Sequence, residues 1–389
     1  MLLLKNGLVL SMAGPAFTGD VLLKDGKIAA VGEHISAEGA EVVDCTRNYV
    51  LPGFVDAHCH IGMWEDGMGD EGADGNENSD PITPQMRAID GINPFDPCFK
   101  EARVAGVTTV VTGPGSANVI GGQFAALKTY GRYIEDMLIQ DPIAMKAAFG
   151  ENPKRVYTEQ KEAPYTRMAI AALFRGAMVE AQEYERKLKL GEEDADKLPD
   201  RDLGIEALLP VLRGEIRLKM HAHRADDILT ALRLAKEFNL SVTLDHCTEG
   251  HLILDILKEQ TEALGAGIIL GPLFSDRSKI ELKNMTFRAP KLMYEAGIPF
   301  ALMTDHPVIP IQHLPVCAAL CVREGLDVDE ALRAITINAA KVVGLGERVG
   351  SLEVGKEADV AIFDGHPLDI RSHCLRTIIN GKTVHLLDA

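Results

Sequence analysis

No stretch of this 389-residue chain is apolar for long enough to cross a bilayer. Its apolar opening, MLLLKNGLVL, is broken by Lys5 and carries no small-residue cleavage signature, so it reads as a strand and not a secretory leader. Positive charge is also short: 40 Lys and Arg stand against 57 Asp and Glu, a formal net charge of −17. Such a surface repels phosphate backbones, which argues against nucleic acid as a partner. Cysteines are few and unpaired in pattern. Cys45, Cys59, Cys98, Cys247, Cys317, Cys321 and Cys374 make an odd count with no C-x-x-C, the pattern of reduced thiols in a cytoplasm. Cys317 and Cys321, in PVCAALCV, have the spacing of one helix face and read as core. The Gly-rich GPGSANVIGGQ lacks the Gly-Lys-Ser/Thr of a phosphate loop, which sets a nucleotide site aside. The expected partner is a small molecule, with no membrane; assembly into a homo-oligomer is left open.

Hydrophobic content of 46% and 25% charged residues describe a globular chain long enough for one large domain and a smaller one. The first fifty residues alternate short apolar strands with turn signals such as Asn6-Gly7 and Asp25-Gly26, and the style returns near the end with Asn380-Gly381. Pairing the two ends would protect their edges, so residues 1–51 and 347–389 are expected to form one composite β-sandwich. Residues 52–346 read differently. Eight apolar segments, GFVDAHCH, GVTTVVTGP, GQFAALKTY, PIAMKAAFG, EIRLKMHAH, LSVTLDHC, GAGIILGP and IPFALMTDH, alternate with helical patterns such as ADDILTALRLAKEF. That is the pattern of an α/β fold of the (β/α)₈ barrel type. Two stretches exceed the minimal repeat: the acidic, Gly-rich loop 63–93 and a charged helical insertion over 164–213.

Side chains alternate along a strand, so His58 and His60 project together while Cys59 points away. An H-x-H pair alone says little. Placed by strand, however, His58 and His60 end the first, Lys146 lies in the fourth, His221 ends the fifth, His246 the sixth and Asp305 the eighth. These are the C-terminal ends, where barrel active sites assemble, and the donor types suit a metal ion.

Over nearly its whole length the chain resembles the amidohydrolase superfamily, in LPGFVDAHCH, HAHR, DHCTEGH, LMTDHP and GSLEVGKEADVAIFD. GENPKRVY and DPITPQMRAIDGINP are similar to the imidazolonepropionase-related, prolidase-like dipeptidase branch. The resemblance implies a metal-dependent hydrolase acting on an amide-type C–N bond with a zinc-activated water. A dipeptide or N-acyl amino acid ranks first as substrate; imidazolone-type ring opening is the alternative. A heterocycle deaminase is a further alternative, usually with one metal, and a non-catalytic assembly subunit would be expected to have lost ligands.

Under that resemblance His58, His60, His221, His246 and Asp305 hold zinc, and Asp305 also carries the proton from water to the leaving amine. Lys146 is implied to be a carboxylated lysine bridging two Zn²⁺ per chain, with Glu151 the competing ligand and a single-metal site the remaining reading. His223 is read as orienting substrate or starting the next helix. Arg224 is read as binding a substrate carboxylate or pairing with Asp226 or Asp227. His306 is read as a further substrate-binding residue, although it faces away from Asp305 unless its loop curls it back. The acidic loop WEDGMGDEGADGNENSD is read as a lid that favours a cationic substrate, or simply as a turning segment.

Overall fold

Turn chemistry and alternation build the first sheet. In a computed structural model of the chain, which describes residues 1–387, strands β1 (Leu2–Val9), β2 (Phe17–Lys24), β3 (Lys27–Gly32), β4 (Glu41–Asp44) and β5 (Tyr49–Pro52) come first. Asp25 and Gly26 connect β2 to β3 with φ of 50° and 75°, the left-handed geometry that suits a two-residue hairpin. Asn6-Gly7 was expected to turn as well. It lies inside β1 as an irregularity in the pairing with β2, where Asn6 at φ 61° donates its amide to Asp20 Oδ1 at 2.9 Å.

The eight-stranded barrel-like sheet follows: β6 (Phe54–Cys59), β7 (Val107–Thr112), β8 (Ile120–Lys128), β9 (Leu138–Ala148), β10 (Arg217–Ala222), β11 (Val242–His246), β12 (Gly267–Leu270) and β13 (Ala301–Leu302), paired in sequence order. It corrects the expected (β/α)₈ repeat. β8 runs antiparallel to both β7 and β9, while the other neighbours in the sheet are parallel. The reason is chain length. Residues 113–119 join β7 to β8 and 129–137 join β8 to β9, whereas a parallel crossover needs about a dozen residues or more. The sheet nearly closes where Asp305 N donates to His58 O at 3.2 Å and His60 N donates to His306 O at 2.8 Å.

Strands β14 (Val360–Phe363), β15 (Cys374–Ile379) and β16 (Lys382–Leu386) return to the first sheet. There β14 pairs antiparallel with β5, Leu51 opposite Ala361, so both chain ends share one eight-stranded sheet with its own apolar cluster that includes Leu4, Val21, Leu23, Val50 and Val360. The insertion after β9 contains the helix Arg167–Glu193, capped by Thr166 Oγ1 accepting from Ala169 N. It buries Ile170, Phe174, Met178 and Ala181, residues three and four apart, against the barrel. No helix among the described residues is long and apolar enough to cross a membrane.

Candidate metal centre

The strand ends converge at one mouth. Because β6 is extended, His58 and His60 turn their rings to the same side, with ring centroids 5.1 Å apart. Lys146 reaches in from β9 and His221 from β10. On β11 alternation would send one of Asp245 and His246 outward, yet both contact the interior. Asp245 lies against His58 and Lys219 within the strand, and His246 follows at φ 74°, a left-handed turn that swings its ring back over the mouth. Asp305 is placed the same way, at φ 55° just past the two-residue β13. Such backbone conformations cost about 1–3 kcal/mol each and cluster at functional sites.

The imidazoles are oriented from behind. His60 Nδ1 donates to Gly113 O at 2.7 Å and His246 Nδ1 donates to Gly271 O at 2.8 Å. A carbonyl only accepts, so the ring proton sits on Nδ1 and the Nε2 lone pair faces the mouth. His58 Nδ1 abuts Asp245 Oδ2 at 2.8 Å, leaving its Nε2 3.5 Å from Asp305 Oδ1 and 3.3 Å from Lys146 Nζ. His60 Nε2 meets the same Asp305 Oδ1 at 3.2 Å, lone pair against carboxylate oxygen. Neither nitrogen of the buried His221 has a hydrogen-bond partner. Two overlapping groups have donor atoms within 4.8 Å of one another: His58, His246 and Asp305, and His221, His223 and His246. Burial, then the Lys146 ammonium, holds His58 and His221 well below the usual imidazole range. Burial, then His221, does the same to His223 and His246. Neutral imidazoles, of which His60 and His246 have backbone-anchored Nδ1 atoms and inward lone pairs, are a donor set that fits a divalent metal.

Lys146 is fully buried, with its ammonium 5.6 Å from the Phe124 ring centroid and no carboxylate within 4 Å among the described residues. Burial pushes it down to about 8.

The sequence-selected residues divide clearly. His58, His60, Lys146, His221, His246 and Asp305 come together, and His223 joins them, its Nδ1 2.7 Å from Thr248 Oγ1. Glu151 is held elsewhere: at the start of the helix Glu151–Gln160 its Oε2 accepts from Glu281 N at 3.3 Å, and its own amide donates to Glu281 Oε2 at 3.1 Å. Arg224 forms a surface pair with Asp226, donating through Nε and Nη2 at 2.9 and 2.8 Å, away from the pocket. His306 is buried with Nδ1 accepting from Ile311 N at 3.2 Å, and burial pushes it down to about 4.

Three contributors escaped the sequence reading. Asp245 was overshadowed by its neighbour His246. Glu281 is fully buried, with Oε1 3.7 Å from His223 Nε2 and 3.9 Å from His221 Nε2. Lys279 lines the pocket beside it, a cavity of about 320 Å³ that also exposes His60, Trp64, His221, His223 and Asp305. The loop after β12 that carries both has no local signal of function.

Residues 215–385 match the Amidohydrolase family. The chain is 42% identical to an amidohydrolase from Thermotoga maritima MSB8, covering 100% of each chain with a TM-score of 0.96. It is 31% identical to the amidohydrolase tasK of Hapsidospora irregularis over 93% of this chain, and spans only 39% of that protein's length. It is also 26% identical to the imidazolonepropionase of Streptococcus pyogenes serotype M12 (strain MGAS2096), covering 90% of this chain and 85% of that one.

Proposed function

The chain belongs to the amidohydrolase family, and on that premise we propose that it is a metal-dependent hydrolase of an amide-type C–N bond in a dipeptide or N-acyl amino acid. The observation that carries this reading is the orientation of His60 and His246: each commits its ring proton to a backbone carbonyl, so each Nε2 lone pair faces a buried interior. Without a cation there, the His60 lone pair and the Asp305 carboxylate would be opposed at 3.2 Å. His58, His60, His221, His246 and Asp305 would hold zinc, two ions per chain if Lys146 is carboxylated. When bound, zinc would supply a water acidified to a pKa of about 7 and would polarise the carbonyl under attack.

The chain's own groups do the rest. Asp305 accepts the attacking water's proton at a carboxylate oxygen and passes it to the leaving nitrogen. Burial favours the neutral amine of Lys146, the form that adds to CO₂. That addition makes one N–C bond as one C–O π bond of CO₂ opens, releases the N–H proton and converts the neutral amine into an anion suited to balance two divalent ions. Asp245 behind His58, and the Gly113 and Gly271 carbonyls behind His60 and His246, keep the donors aimed.

Ring opening of an imidazolone is the second reading, supported by the similarity to imidazolonepropionase. The test is metal content by elemental analysis, followed by a screen of dipeptides, N-acyl amino acids and imidazolones with the zinc-loaded protein. Two zinc per chain with hydrolysis of linear amides is expected. Turnover of imidazolones alone would favour the second reading, and a chain that binds no metal would overturn both.

A further inference from the structure

The acidic loop after β6 suggests a cationic substrate by charge alone, but its carboxylates do not line the pocket. From that loop Trp64 and Asn76 reach the wall. Glu65 accepts from Asn93 Nδ2 at 2.5 Å, and Asp74 and Glu77 line a separate cavity beside Arg87. Among the described residues, the one lysine or arginine on the pocket wall is Lys279, whose ammonium has no hydrogen bond or ion pair with any of them. Asp276, on the same wall, lies beyond ion-pair distance of it.

Lys279 stands on a fixed base. It precedes the 3₁₀ turn Ile280–Leu282, and that turn is pinned by the two-way bond between Glu281 and Glu151: Glu281 Oε2 accepts from Glu151 N at 3.1 Å and Glu281 N donates to Glu151 Oε2 at 3.3 Å. Glu281 is itself fully buried, so the carboxylate and the amide that hold the turn are both shielded from water. The ammonium is also close enough for its charge to help lower the His221 and His223 imidazoles. An unpaired cation beside the donor cluster is a ready partner for a ligand anion. Trp64, Leu282, Pro307 and Val308 give the same wall an apolar surface.

We propose that Lys279 binds a free carboxylate of the substrate, which makes the substrate an acid, such as an N-acylated amino acid or dipeptide with an apolar side chain, and not a neutral amide. The inference deepens the proposed amide hydrolysis at this site and rests on it. Lys279 is then a specificity residue: it touches the substrate away from the scissile bond and favours acids over their carboxamides.

The test uses the zinc-loaded, full-length chain with two pairs of probes. Kinetics compare N-acetyl-L-leucine with N-acetyl-L-leucinamide; calorimetry compares L-leucine with L-leucinamide, a readout that needs no turnover. In the wild type the acids should be preferred by about 10- to 100-fold, mainly through KM, the range for a hydrogen bond to a charged group. Lys279→Met should narrow that preference to within about twofold, and Lys279→Arg should restore most of it. Wild-type protein indifferent between acid and amide, or a preference that survives Lys279→Met, would overturn the assignment while leaving hydrolysis standing. A preference for leucine over leucinamide that vanishes in Lys279→Met, with no turnover of any amide, would keep Lys279 as the carboxylate site and remove the hydrolytic reading instead.

Discussion

Lys146 and Lys219 stand opposite each other in the β9–β10 ladder, both buried in the barrel interior, and among the described residues only Lys219 has a carboxylate partner. Its Nζ lies 3.2 Å from Asp245 Oδ2 and 3.1 Å from Ala57 O, whereas Lys146 Nζ has His58 Nε2 at 3.3 Å. One lysine therefore neutralises an acid inside the barrel, and its neighbour faces the clustered imidazoles without a counter-ion.

That asymmetry predicts opposite phenotypes. Lys146→Ala should keep its fold, lose about one zinc per chain and most activity, and regain part of both when a short carboxylic acid is added. Lys219→Ala leaves the buried Asp245 without its cation and should destabilise the fold by about 3–5 kcal/mol. Glu151→Gln should be milder than Lys146→Ala in metal content. Elemental analysis and urea unfolding check the set; loss of metal in Glu151→Gln with full metal in Lys146→Ala would replace the carbamate by a glutamate-ligated site.

The lowered Lys146 sets a pH dependence whose sign is fixed. Its folded value is about 8 against about 10.4 in an unfolded chain, so between those values the unfolded chain holds a proton that the folded, metal-free protein does not. Its contribution to stability therefore rises with pH across that window. Urea midpoints of metal-free wild type should climb more steeply from pH 8 to 10 than those of Lys146→Met. Equal slopes would mean that Lys146 does not titrate there. Zinc reconstitution should require bicarbonate and accelerate from pH 7 to 9, because only the neutral amine adds to CO₂.

Asp305→Asn is nearly isosteric and should fold, but it cannot take up the water's proton. A fall in kcat of roughly 10²–10⁴-fold is expected, the range for lost general acid–base catalysis. Near-normal turnover on a verified substrate would exclude the proton-carrying role.

Deleting residues 356–389 removes β14, β15 and β16 and leaves β5 without its antiparallel partner. The exposed edge should drive the truncated chain into aggregates, scored by light scattering and the soluble fraction. A soluble, active truncation would show that the shared sheet is dispensable.

Much of the site was legible because strand periodicity is local. His58 and His60 two residues apart, His221 at the end of an apolar strand and Asp305 after the last one follow from the period of two, and the family resemblance named the chemistry. The paired chain ends were also readable, since their turn-rich strands look alike and unlike the middle. The direction of β8 was not. Its apolar run is compatible with either orientation, and only the short connectors on both sides make a crossover impossible.

Distinguishing Lys146 from Lys219 lay outside the sequence for a different reason. Both are lysines within apolar strands, and what separates them is Asp245 arriving from β11 to pair with one and not the other. Glu281 and Lys279 come from a polar loop more than fifty residues beyond His221, and nothing near them in the chain marks them. His246 needed a left-handed backbone turn to face the same interior as its neighbour Asp245, which alternation alone would forbid. Residue types and spacing along each strand thus determined which donors reach the barrel mouth. Which of them are left unpaired, and which loop lines the pocket beside them, depended on contacts between segments far apart in the chain, because a buried charge is defined by the partner that packing brings to it or withholds.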